Sequence, residues 1–233
     1  MFTFKNLPTT DFDGRYKLFP KKYLKLNPDI LNCFIGCNGS GKTTLIEYLI
    51  SYLKKHYNAE DIGDRNPFRH IFSDEPAPET NTFYISFDKK SKEGVSEDYI
   101  VRDLFINSQS TGESIIYRFG GTLAMMGDFL RNKNNSGSTL FVFFDDCDAG
   151  TSIDKIIDIL DIFELIKTDA AKNNITCYFV LTANSYEIAR NSNCIDVSTY
   201  ETYHFTDYES YKSFVLNSRK LHSRKLKEEN YGK

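Results

Sequence analysis

The sequence predicts an α/β protein with a mainly parallel central sheet, flanking helices and a small antiparallel portion at its N-terminus. Three observations carry this expectation. Strongly apolar runs at Leu31–Ile35, Thr139–Phe144 and residues 176–181 lack the polar alternation of a half-exposed strand, so they read as parallel strands covered on both faces. Stretches with apolar residues at helical spacing separate these runs. The length, 233 residues and 26.9 kDa, is enough for one large domain with a sizeable core.

Taken in order, residues 2–7 and 16–26 read as short strands separated by the turn-rich TDFDG. LNCFI ends at Gly36, and a helix pattern follows from Lys42 to Tyr57, with Leu45, Leu49, Leu53 and His56 recurring along one face. Residues 58–82, rich in Asp, Pro and Asn, read as loop, and Thr82–Phe87 as a strand. Two helical stretches surround QSTGES at 109–114, and NKNNSGS at 132–138 is a loop. After the TLFVFF run a helix starts past Ser152, with Thr151 and Asp154 spaced as a capping box. TCYFVL is the next strand. Thr206 and Glu209 form a second box, opening a last helix that should end near Leu221. A single domain is expected over residues 1–222, followed by a flexible basic tail at 223–233.

Composition excludes several classes. Twenty-nine basic against thirty-two acidic residues give a formal charge of −3, so no global basic field points to nucleic acid. The apolar run at 140–144 is five residues long, whereas a membrane-spanning helix needs about 20. MFTFKNLPTT lacks the basic-then-apolar pattern of a signal peptide. Five cysteines with no CxxC pair suggest buried, reduced thiols and a cytoplasmic protein. The four histidines have no metal-ligand spacing. From Lys212 to Lys233 seven Lys/Arg face only Glu228 and Glu229, which reads either as a solvated helix end or as a contact for DNA or a partner protein.

The motif with the clearest chemistry is GCNGSGKTT, residues 36–44, a full GxxxxGKT loop between an expected strand and an expected helix. Glycines let successive backbone N–H groups turn inward around a phosphate, and the helix adds its positive N-terminal end. Lys42 should reach the β- and γ-phosphates, and the Thr43 hydroxyl should coordinate Mg²⁺. Asp145, at the tip of the apolar run 140–144, is placed to hold Mg²⁺ through water; DDCDAG is also good turn chemistry. Guanine specificity is not expected, because NKNN at 132–135 fails the Asn-Lys-x-Asp pattern at its last position.

GCNGSGKTT resembles the ABC-type ATPases, whose loop commonly reads GxNGSGKTT. TLFVFFDDCDAGTSID, residues 139–154, resembles their Walker B strand, the acidic residue after it, the D-loop and the following helix. Between them, QSTGE at 109–113 is similar to the family's signature, LSGGQ in transporters and often SSGE or SGGE elsewhere. The order matches, and the resemblance spans about residues 30–190. Two departures stand out. The only Gln is Gln109, so Ser86 or Asp88 ends the strand after which transporter subunits carry Gln, and Ala183 stands where they place a His. The chain looks more like the compact heads of the SMC, RecF and OLD-like branch, and like small stand-alone bacterial or phage "AAA family ATPase" proteins.

The resemblance implies a P-loop NTPase fold with a signature-bearing helical part at about 95–135, and ATP and Mg²⁺ as ligands. Gly36, Asn38, Gly39, Ser40, Gly41, Lys42, Thr43 and Thr44 would hold ATP, and Thr43 and Asp145 the metal. Two copies would meet head to tail, with Ser110 and the Gly112 amide of one reaching the γ-phosphate on the other. The catalytic set would be Lys42, Ser110 and Asp146. Asp146 stands where the family has Glu, one methylene shorter, so turnover should be slow. Asn184 or Thr182 would partly replace the missing His, and Tyr16, Phe19 and Tyr23 are candidates for stacking on adenine. The family setting suggests DNA maintenance or repair, mobile-element biology or anti-phage defence. The alternatives are an ABC transporter ATPase subunit, an ATP-binding interaction module with negligible turnover and, more distantly, a P-loop kinase.

Overall fold

The computed structural model describes residues 1–9, 19–62, 82–87, 123, 125–148 and 152–231. Strands β1 (Phe2–Lys5) and β2 (Tyr23–Leu26) pair antiparallel, Phe2 opposite Leu26 and Lys5 opposite Tyr23, as the N-terminal pattern predicts. The second strand is shorter than expected, because the segment at Pro20, Lys21 and Lys22 bends instead of extending. β3 (Leu31–Ile35) leads into α1 (Lys42–Tyr57). Then come β4 (Glu60–Asp61), β5 (Thr82–Phe87), a helix α2 at residues 125–131 and β6 (Thr139–Phe144). The chain continues through α3 (Ile153–Lys172), β7 (Thr176–Thr182), α4 (Tyr186–Arg190), β8 (Asn193–Asp196), β9 (Thr202–Tyr203) and α5 (Tyr208–Tyr231).

The larger sheet has the order β4-β5-β6-β7-β3-β8-β9 among the described residues. Only β8 and β9 pair antiparallel; the other neighbours are parallel. Side-chain alternation divides each central strand between two cores. Cys33, Ile35, Leu140, Val142, Phe144, Cys177, Phe179 and Leu181 join α3, α4 and the root of α5 on one face. Phe34, Phe141, Phe143, Tyr178 and Val180 join α1 and the β1–β2 pair on the other. Burial on both faces is the physical reason these strands read as unbroken apolar runs.

The strand order positions the site. β7 lies between β3 and β6, so the C-terminal tips of all three open on one edge, where ligands of parallel α/β sheets bind. Phe34 pairs with Thr182, and Phe144 pairs with Leu181, which brings Thr182 level with the residue that follows β6.

α3 starts just past Ser152, as expected, and the cap of α5 differs from the sequence expectation by one residue. α3 is capped at Ser152, with Asp154 in its first turn, while Thr151 lies outside the described residues. α5 is capped by Asp207 rather than Thr206: the Ser210 N–H donates to Asp207 Oδ1 at 2.8 Å, and this bond holds the Asp207 carboxyl below the ordinary carboxylate range. α5 also continues past Leu221 to Tyr231, so the basic segment carries on the helix. All five cysteines are reduced and buried, as expected. Burial pushes the Cys177 thiol up to about 12 and raises Cys147 well above its usual range; Cys33 rises too, chiefly through its bond with Cys194.

Candidate functional site

Backbone geometry builds one side of the cleft. β3 ends at Ile35, and Gly36 turns the chain at φ +150°; a Cβ there would sit 2.6 Å from Ser40 Oγ. Gly39 and Gly41 are left-handed at φ +80° and +94°, a region that side chains disfavour. A turn closes the loop, the Ser40 N–H donating to Cys37 O at 3.1 Å. Gly41 then caps α1, whose first bond runs from the Leu45 N–H to Gly41 O at 2.9 Å. Lys42 Nζ donates back to Gly36 O at 3.0 Å and Cys37 O at 3.3 Å, folded over the loop. Burial lowers its pKa, and the nearby Asp145 and Asp146 oppose that shift.

Side chains build the opposite side. β6 delivers Asp145 and Asp146 into a turn, with Asp146 left-handed at φ +56°. The Thr182 hydroxyl holds both: it donates to Asp145 Oδ1 and accepts the Asp146 N–H at 2.7 Å. Two residues on, the Asn184 N–H donates to Asp148 Oδ2 at 2.7 Å, and its amide nitrogen reaches Asp146 Oδ1 at 3.4 Å. Burial raises the Asp148 carboxyl above the ordinary range, and its Oδ1 has no hydrogen-bond partner among the described residues. The two sides enclose an open cleft of about 640 Å³, lined by Asn38, Gly39, Gly41, Lys42, Thr43 and Thr44 on one side and by Asp146, Asp148, Thr182 and Asn184 on the other.

Most sequence-selected residues therefore meet at one edge of the sheet. Gly36 and Ser40 sit just beneath, the Ser40 hydroxyl buried under Gly36 without a hydrogen-bond partner among the described residues. Asp145 stands behind Asp146, engaged by Thr182. Ser110, Gly112 and Gln109 lie outside the described residues, as do Tyr16 and Asp88. Phe19 is buried against Tyr48, which removes it as a stacking platform, and Tyr23 is exposed on β2; neither lines the cleft. The Asp148 carboxyl also lines the cleft. Sequence reasoning missed Tyr211 and Ser218 on α5: the Tyr211 hydroxyl donates to Asn184 O at 2.6 Å, and Ser218 Oγ accepts the Cys37 N–H at 3.1 Å. It also assigned nothing to His222, whose Nε2 lies 3.6 Å from where a Cβ on Gly39 would stand.

The residues fit a Mg²⁺–nucleotide on two grounds. Nothing stands within 4 Å of where a Cβ on Gly41 would be, which leaves room at the start of α1, and hard oxygens are available from both sides, Thr43 on the loop and Asp145 across from it. Among the described residues no group of three or more His, Cys, Asp and Glu side chains could hold a metal by itself.

No family model matches the chain, and no curated protein matches it. Among solved structures it is similar to the ADP conformation of MJ1267, an ATP-binding cassette of an ABC transporter, at 15% identity and a TM-score of 0.48, over 96% of this chain and 97% of that one. A second structure of the same cassette, described for its twinning, is similar at 14% identity and a TM-score of 0.48, over 95% of this chain and 96% of that one. The fold class is mixed α/β with a mainly parallel central sheet and a small antiparallel one. Among the described residues no helix is long and apolar enough to cross a membrane.

Proposed function

We propose that this chain is an ABC-type ATPase that binds Mg²⁺-ATP in the cleft and hydrolyses it slowly. The observation that carries the reading is the placement of a glycine-built GxxxxGKT loop on β3 across a cleft from the carboxylates of β6, with a Thr182 tip between them. Gly39, Gly41 and the first amides of α1 would cradle the phosphates, with Gly36, Asn38, Ser40 and Thr44 shaping the loop. Lys42 would exchange its two carbonyl partners for β- and γ-phosphate oxygens. Thr43 and Asp145 would hold Mg²⁺, which when bound neutralises charge on the β- and γ-phosphates.

Asp146 would orient the attacking water and accept its proton. Its backbone is braced through Thr182, and its carboxylate lies within reach of the Asn184 amide, which would stand in for the family's His. The short Asp stem is the reason for slow turnover, since a misplacement of about 1 Å costs on the order of 100-fold. In the same reading two copies close head to tail around ATP, Ser110 and Gly112 of each reaching the other's γ-phosphate, and hydrolysis reopens the pair. DNA maintenance, mobile-element biology or anti-phage defence would be the setting, with DNA or an effector protein as partner; this part rests on family resemblance.

Mass in solution and phosphate release test the reading together, on wild type and Asp146→Asn with and without Mg²⁺-ATP. The expected result is an ATP-dependent dimer that persists longer in the variant, together with slow phosphate release that the variant loses. Dimerisation without phosphate release from wild type points to the interaction module. Absence of both effects, with no nucleotide bound, overturns the reading.

A further inference from the structure

Helix α5 touches both sides of the cleft through one buried face. Tyr211 and Ser218, 6% and 9% exposed, are seven residues apart, which places them two turns along the same side of the helix. The first donates to Asn184 O at 2.6 Å on the acidic side, and the second accepts the Cys37 N–H at 3.1 Å in the phosphate loop. One turn further, His222 lies against Gly39. The helix is anchored independently of these bonds, because Phe214 packs on Tyr203 and Phe205, with ring centroids 4.9 and 5.6 Å apart.

Cys37 follows β3 and Asn184 follows β7, strands that are far apart in sequence and pair side by side, and both residues lie beyond the last paired positions. A rigid helix bonded to both is a brace across the cleft. The Cys37 bond also occupies a buried backbone N–H, a group that is costly to leave unpaired. We propose that α5 sets the geometry of the nucleotide site, with Ser218 and Tyr211 as positioning residues: Ser218 fixes the phosphate loop and Tyr211 fixes the segment that presents Asn184 to Asp146. This rests on the ATP-site reading above and extends it to a helix outside the recognised motifs.

The test separates binding from turnover. Titration with ATP gives affinity, single-turnover hydrolysis gives the chemical step, and hydrogen exchange without nucleotide reports the Cys37 amide. Ser218→Ala should weaken ATP binding about three- to ten-fold, the worth of one neutral hydrogen bond, and speed exchange at Cys37 while leaving the single-turnover rate within about two-fold. Ser218→Thr, which keeps the acceptor, should restore both. Tyr211→Phe keeps the ring packed on Phe205 and should slow single turnover about three- to ten-fold with affinity retained. Variants that melt lower yet keep wild-type affinity and rate overturn the proposal and leave α5 a packing element. Wild type that binds no ATP overturns the site reading itself, and the proposal falls with it.

Discussion

The two sides of the cleft solve the same problem with different materials. The phosphate loop is almost all backbone: three glycines at positive φ, a turn and a helix start, with Lys42 folded over them. The acidic side is built on side chains, with the Thr182 hydroxyl joining the Asp145 carboxylate to the Asp146 N–H and the Asp148 carboxylate accepting the Asn184 N–H. A backbone cradle depends on which residues are allowed at each φ and ψ, so it is local. A carboxylate cluster depends on which strands end side by side, so it is a property of the whole sheet. Substitutions should therefore damage binding on the first side and turnover on the second.

The sharpest division should come from one residue on each side. Lys42→Ala removes the cation that, in the proposed reading, would face the phosphates, and ATP affinity should fall about 100-fold or more, measured by titration. Asp146→Asn keeps a residue that tolerates left-handed backbone, so the fold and ATP affinity should hold while phosphate release falls about 100-fold or more. Loss of affinity in the second variant would break the comparison.

Thr182→Val comes next. It keeps the shape but leaves Asp145 without its donor and the Asp146 N–H without its acceptor, so hydrolysis should drop about ten- to a hundred-fold, with Thr182→Ser retaining most of it. Gly36→Ala should act on stability, costing about 1–3 kcal/mol by denaturant melts, because Ser40 must move and the backbone is strained. The smallest effect is Asp148→Asn. Burial raises the folded-state pKa of Asp148, so its contribution to stability is full below the unfolded value and is lost as pH rises through the folded one. The variant should flatten the dependence of melting temperature on pH in the acid range above the ordinary carboxylate pKa of about 4.

Legibility in the sequence follows the same division. The loop is readable because each glycine is demanded by its own backbone, and β3, β6 and β7 because burial on both faces makes them mainly apolar, with Asn32 the one polar residue inside β3. β8 and β9 escape notice: four and two residues, with Asn193 and Asp196 at the ends of the longer one, leave no pattern to detect. Asp145 and Asp146 are legible from their position after an apolar run, but their bonds to Thr182 follow from β7 lying between β3 and β6, which no local pattern encodes. Tyr211 and Ser218 are more hidden still. On a helix they look like ordinary half-polar positions until the helix is laid across the cleft. The displaced cap of α5 teaches a smaller lesson: Asp207 outcompetes Thr206 because its carboxylate reaches the Ser210 N–H, and both residues are good caps by type.

The most direct test of the central claim is calorimetric titration of the full chain with Mg²⁺-ATP. The account predicts saturable binding of one nucleotide per phosphate loop, abolished in Lys42→Ala. A flat titration at millimolar nucleotide, with no rise in melting temperature, would contradict it.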